Sequence, residues 1–113
     1  MSQVVRESDI QRSILDYLQL RKFIAFKYNS TQYGIRDGKS FAFKSGNVGV
    51  SDILACSPSG KFVAIEVKKP GGKPSDAQVA FINQVSKQGG IAAICYSLDE
   101  AISLITANQA VLF

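Results

Sequence analysis

Hydrophobic residues recur at helical spacing close to the amino terminus, where Ile10, Ile14 and Leu18 stand four residues apart. This spacing, with Tyr17 beside it, predicts an amphipathic helix over about residues 6–21. The segments that follow alternate in polarity or are rich in aromatic and β-branched residues, which is typical of strands. The predicted strands are Phe23–Tyr28, Phe41–Lys44, Ser51–Cys56, Phe62–Lys68 and Ile91–Tyr96.

Turn and cap signals separate these strands and mark two further helices. Asn29–Ser40 contains an Asn-Ser-Thr run and an Asp-Gly pair, so we predict a turn-rich connection there. Ser75 is the expected cap of a second helix that runs to about Lys87 and is ended by a Gly-Gly pair. Ser97 opens a capping box and a last helix, which runs to about Ala107.

The predicted element order is α-β-β-β-β-α-β-α. Strands on both sides of a strand–helix–strand crossover indicate the α/β class, with a mixed β-sheet flanked by helices. No repeat, low-complexity tract or linker divides the sequence, so residues 1–113 are expected to form a single domain.

Composition narrows the chemistry that this domain can perform. The 113 residues are 46% hydrophobic and include no histidine, which excludes Ser-His-Asp and Cys-His catalysis and histidine-ligated zinc. Cys56 and Cys95 form no CxxC pair, and we interpret both as reduced core thiols of a cytoplasmic protein. The apolar runs are too short for a membrane span or a signal peptide. Catalysis would therefore depend on carboxylates, lysine or a metal ion that they hold.

Positive charge is concentrated in the middle of the chain. The net charge is +4, but residues 21–73 carry ten basic residues against three acidic ones, and the rest carries three against six. A basic middle flanked by acidic segments suggests a face that binds a polyanion. A scattered set of solvated surface lysines explains the same counts equally well.

Two carboxylates and a lysine interrupt otherwise apolar strands: Asp52, Glu66 and Lys68. If residues 58–60 form a three-residue hairpin loop, Asp52 lies opposite Glu66 with the carboxylates about 5 Å apart. A hard divalent cation would cancel their repulsion, and Lys68, on the same strand face as Glu66, could orient a water molecule or a phosphate. The alternative is an ordinary surface Glu-x-Lys pair on an edge strand.

The wider context of these residues is a recognisable motif. A Gly-x-x-Asp sequence ends at Asp52, a Glu-x-Lys sequence (Glu66–Lys68) follows after thirteen intervening residues, and Gln78 stands in the following helix. This arrangement resembles the core of the PD-(D/E)xK nucleases and, more narrowly, the VRR-NUC (virus-type replication and repair nuclease) family. The resemblance extends from Glu7 to Ser97 and implies a restriction-endonuclease-like core.

The resemblance implies roles for particular residues. The implied catalytic residues are Asp52, Glu66, Lys68 and Gln78. The implied ligands of Mg²⁺ or Mn²⁺ are Glu7, Asp52, Glu66 and the carbonyl of Val67. Asn29 and Ser30 resemble a family Asn-Ser motif that could contact a phosphate. Basic residues of the middle segment would hold the nucleic-acid backbone: Arg21, Lys22, Lys27, Lys39, Lys44, Lys69 and Lys73.

Three of these assignments have simpler explanations. Gln78 lies three residues after Ser75, so it could serve only as the partner in a helix capping box. Glu7 could be an acid that the dipole favours in the first turn of a helix. Asn29 and Ser30 could form a plain turn.

The function expected from this sequence is a metal-dependent, structure-selective DNA endonuclease of DNA repair. The resemblance implies branched DNA such as four-way (Holliday) junctions as the substrate, in the cytoplasm of a bacterial or phage-infected cell. The alternative is a non-catalytic nucleic-acid-binding module with the same fold. Paired cuts on a symmetric junction favour a homodimer. The apolar tail at residues 110–113 could lie in that interface or dock onto its own core.

Overall fold

Residues 5–29, 31–44 and 48–113 are described by the structure, which is a computed structural model. Their strands and helices follow the predicted order, with one additional strand and one additional short helix. The strands are β1 (Ile24–Lys27), β2 (Thr31–Arg36), β3 (Lys39–Lys44), β4 (Ile53–Cys56), β5 (Phe62–Val67) and β6 (Ile91–Cys95). The helices are α1 (Glu7–Leu20), α2 (Asp76–Lys87), α3 (Leu98–Ala107) and α4 (Gln109–Leu112).

A four-stranded mixed sheet runs in the order β1-β4-β5-β6. The first two neighbouring pairs are antiparallel, whereas β5 and β6 are parallel and are joined by α2 as the crossover. β4 and β5 pair with Ile53 opposite Ile65, and the chain turns through a three-residue loop in which Gly60 has a φ of 91°. This register is the one predicted from the sequence, and the mixed sheet flanked by helices is confirmed.

Helices cover the two faces of the sheet unequally. α1 buries Ile10, Ile14 and Leu18 against one face, where they share a core with Ile65 of β5 and Ile105 of α3. α2 packs against β5 and β6 on the opposite face. The predicted helical spacing of the first helix is thus the apolar stripe that the core needs. None of the helices in the described chain is long and apolar enough to cross a membrane.

The prediction that Asn29–Ser40 is only a turn-rich connection is wrong, because most of this segment belongs to a second, two-stranded sheet. β2 and β3 pair along their whole length, from Thr31 opposite Lys44 to Arg36 opposite Lys39. The chain reverses at Asp37 and Gly38, both of which have positive φ, as a tight hairpin turn requires. Gly34 and the turn signals on either side of this segment concealed the strand, since glycine is depleted in strands.

One expectation about the two cysteines also changes. Cys95 is buried in the core, and burial together with the charge of Glu100 raises the pKa of its thiol to about 12. Cys56 is exposed, so the prediction that both cysteines lie in the core is wrong for this one. Its strand face is the half of the sheet that α2 leaves uncovered.

The carboxyl-terminal tail docks onto the protein's own core. It forms α4, in which Leu112 is fully buried, and Ser59 donates backbone and side-chain hydrogen bonds to the carbonyls of Leu112 and Val111. The ring of Phe113 meets that of Phe23 edge to face, with 5.5 Å between the centroids. Of the two alternatives left open by the sequence, the structure therefore contains the docked tail.

Candidate active site

Asp52, Glu66 and Lys68 lie at the end of the sheet where β1 and β5 finish and β4 begins. Asp52 directly precedes β4, and its carbonyl accepts a hydrogen bond from the Tyr28 backbone, just beyond β1, at 2.7 Å. Carrying the β4–β5 register one residue further places Asp52 opposite Glu66. Lys68 follows the last residue of β5. The predicted juxtaposition of the two carboxylates thus follows from strand pairing alone.

Glu66 is buried on the sheet face that α2 covers, with 1% of its surface exposed. Its Oε1 accepts a hydrogen bond from Gln78 Nε2 at 3.0 Å and lies 3.9 Å from the ammonium of Lys68. Its Oε2 is also buried but has no hydrogen-bond partner among the described residues. A buried carboxylate oxygen without a partner is costly, so this atom is a natural position for a ligand to satisfy.

The backbone of β5 holds the Asp52 side chain next to Glu66. Its Oδ2 accepts a hydrogen bond from the backbone N–H of Val67 at 2.8 Å. Burial first, and then the nearby negative charge of Asp52, raise the pKa of Glu66 from the ordinary 4.5 to about 8, while the charge of Lys68 opposes this. The raised pKa is that of a carboxyl group removed from water beside a second carboxylate, and the one nearby ammonium group only partly offsets both effects.

Gln78 makes a capping contact and also a contact with the predicted site, which the sequence left as alternatives. Its Oε1 accepts from the Ser75 backbone N–H at 2.8 Å, and the Ser75 hydroxyl accepts from the Gln78 N–H at 3.1 Å, which completes a capping box. Because the amide oxygen is engaged by the cap, the amide nitrogen is directed to Glu66. The cap therefore orients the side chain that contacts the carboxylate.

A polar cavity of about 170 Å³ opens beside Asp52 and Gln78. Its other lining residues are Tyr28, Asn29, Val48, Gly49, Val50 and Ser75. Gly49 has a φ of 89°, and a Cβ atom there would lie 2.5 Å from the carbonyl oxygen of Ala77 in α2. Only glycine allows this wall of the cavity to approach the helix so closely.

The remaining predicted residues lie at varied distances from this cavity. Asn29 lines it, as expected for a residue that could contact a phosphate. Glu7 Oε2 instead accepts a hydrogen bond from the Lys69 backbone N–H at 3.3 Å. Lys69 and Lys73 are exposed on the loop between β5 and α2. Ser30 lies outside the described residues, and the side chain of Lys44 is likewise not described.

Sequence reasoning missed part of the wall around the carboxylates. Tyr28 was assigned only to a strand, Ser75 only to a helix cap, and Gly49 only to a motif, yet all three line the cavity. Gly49 carried a usable signal, because a glycine three residues before a strand carboxylate indicates a close backbone approach. Tyr28 carried none, since its position depends on the pairing of β1 with β4.

The donor set fits a divalent cation. Asp52, Glu66 and the carbonyl of Val67 offer the hard oxygen atoms that Mg²⁺ and Mn²⁺ prefer, and Glu66 Oε2 has no protein partner among the described residues. No group of three acidic, histidine or cysteine side chains at metal-binding separations occurs in the described chain. The participation of Glu7 therefore stays a prediction.

Comparisons with known proteins agree with this fold. The family model of the VRR-NUC domain matches residues 6–99. A solved VRR_NUC domain superposes with a TM-score of 0.65 at 20% identity, with 91% of this chain and 97% of that chain covered. A solved VRR_NUC domain protein gives 0.62 at 19% identity, with 97% and 93% covered. No protein of curated function matches the chain.

The fold and the carboxylate–lysine site define a nuclease-type α/β domain. The family match covers most of the sequence, and the chain belongs to the VRR-NUC family. The resemblance inferred from the sequence is confirmed at this level. The family is one of nucleases, a class of enzymes that bind nucleic acid and typically use divalent metal ions.

Proposed function

We propose that this protein is a divalent-metal-dependent DNA endonuclease. The observation that carries the proposal is the group formed by Asp52, Glu66, Lys68 and Gln78, in which Glu66 contacts Gln78 and the ammonium of Lys68 while Asp52 lines the neighbouring polar cavity. A module that only bound DNA would gain by losing two acidic residues near a phosphate-binding surface. Their retention supports catalysis over the non-catalytic alternative.

Asp52 and Glu66, with the Val67 carbonyl and with Glu7 nearby, would hold Mg²⁺ or Mn²⁺. When bound, such an ion supplies Lewis-acid stabilisation of the charge that develops on the scissile phosphate. Lys68 would donate hydrogen bonds from its ammonium to the attacking water or to a phosphate oxygen. Gln78 is a positioning residue, because its amide fixes Glu66 and leaves Oε2 of that residue available.

Branched DNA, such as a four-way junction, is the proposed substrate. The basic middle of the chain supports binding to the DNA backbone, with Asn29, Ser30, Lys44, Lys69 and Lys73 as the proposed contacts. Among the described helices none is placed in the manner of an appended base-reading module, so recognition of DNA shape is the simpler proposal. A homodimer would supply two cuts related by the symmetry of a junction.

Cleavage assays on a set of DNA structures test this proposal. Linear duplex, flapped, splayed and four-way DNA are each incubated with the full chain, with no metal, with Mg²⁺ or with Mn²⁺. We expect cleavage only with metal and most rapidly on branched DNA. Equal cleavage of all four structures would contradict the substrate proposal but leave the nuclease intact.

The variants Asp52→Ala, Glu66→Ala and Lys68→Ala are assayed beside the wild-type protein. Each should lose cleavage, whereas DNA binding by the two carboxylate variants should be unchanged or tighter, because the removed carboxyl group can no longer ionise near the phosphate. Asp16→Ala, on the exposed side of α1, controls for the loss of a carboxylate. DNA binding without cleavage by the wild-type protein under every metal condition would favour the non-catalytic module.

A further inference from the structure

The β2–β3 hairpin, called the arm below, stands apart from the rest of the protein. Neither of its strands packs extensively against any other helix or strand of the described chain. An isolated two-stranded hairpin is at best marginally stable in water. We therefore expect the arm to be stabilised by contacts with a binding partner.

The arm rises from the rim of the candidate active site. Asn29, which lines the cavity, stands two residues before the start of β2. After β3 ends at Lys44, the chain returns through Val48 and Gly49, which line the same cavity. A molecule whose reacting group occupies the cavity would thus extend past the arm.

One face of the arm presents two cations and an aromatic ring. The register pairs Arg36 with Lys39 and Gly34 with Phe41, and strand alternation places all four on one face. The Phe41 ring lies across Gly34, where an added Cβ would come within 2.7 Å of it. The guanidinium of Arg36 lies 5.6 Å from the centroid of the same ring. Arg36, Lys39 and Phe41 are all exposed.

The charges on this face point to a polyanion as the partner. Like charges directly opposite each other on a hairpin destabilise it, and Arg36 stands directly opposite Lys39. The arm carries three basic residues against the single acidic Asp37. Contact with phosphates would convert this repulsion into an attraction to the partner.

We propose that Arg36 and Lys39 bind the phosphate backbone of the DNA duplex that flanks the scissile bond. The proposal rests on the proposed endonuclease function and adds the place where the uncleaved part of the substrate lies. Six residues of strand extend about 20 Å, which corresponds to roughly six base pairs of duplex. Lys39 belongs to the basic residues that the sequence suggested, whereas Arg36 and the geometry of the arm come from the structure.

The test compares two full-length double variants with the wild-type protein. Arg36→Ala/Lys39→Ala removes the two cations of the arm. Lys61→Ala/Lys87→Ala removes two from the opposite end of the domain, at the β4–β5 turn and in the last turn of α2. Binding to a fluorescein-labelled four-way junction and to a linear duplex is measured by fluorescence anisotropy in EDTA, between about 50 and 200 mM salt.

We expect the arm variant to lower the slope of log affinity against log salt by about 1.8, because each lost phosphate contact removes about 0.9. Across a fourfold change in salt, the wild-type protein should lose about twelvefold more affinity than the arm variant. The control variant should keep the wild-type slope. Removing about six base pairs from the DNA next to the cleavage position should abolish the difference between wild type and arm variant.

Several outcomes would overturn the proposal. An arm variant with the wild-type slope, an equal effect of the control variant, or a difference that persists on the shortened DNA would each do so. Sedimentation of the two proteins without DNA distinguishes another role. If the arm variant alone changes from dimer to monomer, the arm joins two copies of this chain instead. Absence of DNA binding by the wild-type protein would overturn the endonuclease proposal as well.

Discussion

Glu66 is stabilised by few of the contacts that a buried carboxylate requires. One of its oxygens contacts Gln78 and lies near Lys68, and the other has no partner among the described residues. The pKa of about 8 expresses the consequence, since the folded protein holds the carboxyl proton more tightly than the unfolded chain does. Ionising this group therefore destabilises the metal-free fold, which is the kind of local disadvantage found at functional sites.

Glu66→Gln should stabilise the metal-free protein near neutral pH. Between about pH 4.5 and pH 8 the folded wild-type protein binds more protons at this site than the unfolded chain, so its free energy of unfolding falls as the pH rises. Glutamine has no proton to lose, and the variant should gain on the order of 2–3 kcal/mol at pH 7 and nothing near pH 4. Urea unfolding in EDTA across this pH range measures the difference.

Addition of Mg²⁺ or Mn²⁺ provides the second readout for the same variant. Divalent metal should stabilise the wild-type protein more than Glu66→Gln, because a ligand that binds only the folded state raises its free energy of unfolding. Asp16→Asn serves as the exposed control for loss of a carboxylate. A Glu66→Gln variant with wild-type stability at every pH would contradict this account of the site.

At the scale of the element, the amino-terminal turn of α2 joins helix capping to the site. Ser75→Ala should lower the free energy of unfolding by about 1 kcal/mol through loss of the cap. Gln78→Ala removes the cap partner and also the amide that fixes Glu66, so it should lower cleavage by about 10- to 100-fold. Urea unfolding and cleavage rates are measured for both variants. Similar cleavage rates for the two would assign Gln78 to the cap alone.

Two glycines, one in the turn before β4 and one in the β4–β5 turn, offer a matched pair of substitutions. Gly49 and Gly60 both have positive φ near 90°, but an added Cβ at Gly60 meets nothing within 4 Å, whereas at Gly49 it meets the backbone of α2. Gly60→Ala should lower the free energy of unfolding by only about 1–2 kcal/mol, which is the cost of backbone strain. Gly49→Ala should lower the free energy of unfolding by more than this, and it should also reduce cleavage, because the cavity wall must move.

Thermal unfolding and cleavage assays on these two variants measure both effects. Retention of wild-type cleavage by Gly49→Ala would show that the close approach to α2 does not shape the site. The Gly60→Ala variant guards against attributing a general loss of stability to the cavity. Its position at the β4–β5 turn is at the opposite end of both strands from Asp52 and Glu66.

For the whole molecule, the half of the sheet that α2 leaves uncovered is the described surface that best fits the proposed homodimer. Ile24, Phe26 and Phe62 are exposed on this face, and Phe62 also borders a groove of about 370 Å³ against α2. Among the described strands, β1 is an edge strand with β4 as its only neighbour. An exposed apolar face beside an open edge is typical of an interface.

Ile24→Glu should convert a dimer into a monomer, because it buries a charge in this interface. Val111→Glu is the matched control, since Val111 is an exposed apolar residue of α4 on the docked tail. Sedimentation at micromolar concentration measures both. Dissociation by Val111→Glu alone would move the interface to the tail, and a monomeric wild-type protein would remove the dimer from the proposal.

Local patterns in the sequence predicted most of the elements and pointed to the residues of the candidate site. The spacing of Ile10, Ile14 and Leu18, the cap at Ser75, and the turn at residues 58–60 each depend on neighbours within a few positions. The turn length alone set the register of β4 against β5, and this placed Asp52 opposite Glu66. Such features follow from short-range stereochemistry, so they are legible in one sequence.

The tertiary structure decided the features that depend on residues distant in sequence. It made Gln78 both a cap and a partner of Glu66, seated Leu112 in the core, and left Cys56 exposed where α2 does not reach. It also separated the β2–β3 hairpin from the main sheet. These outcomes depend on how the sheet is ordered and which half of it a helix covers, and burial of that kind is a property of the assembled fold rather than of any local pattern.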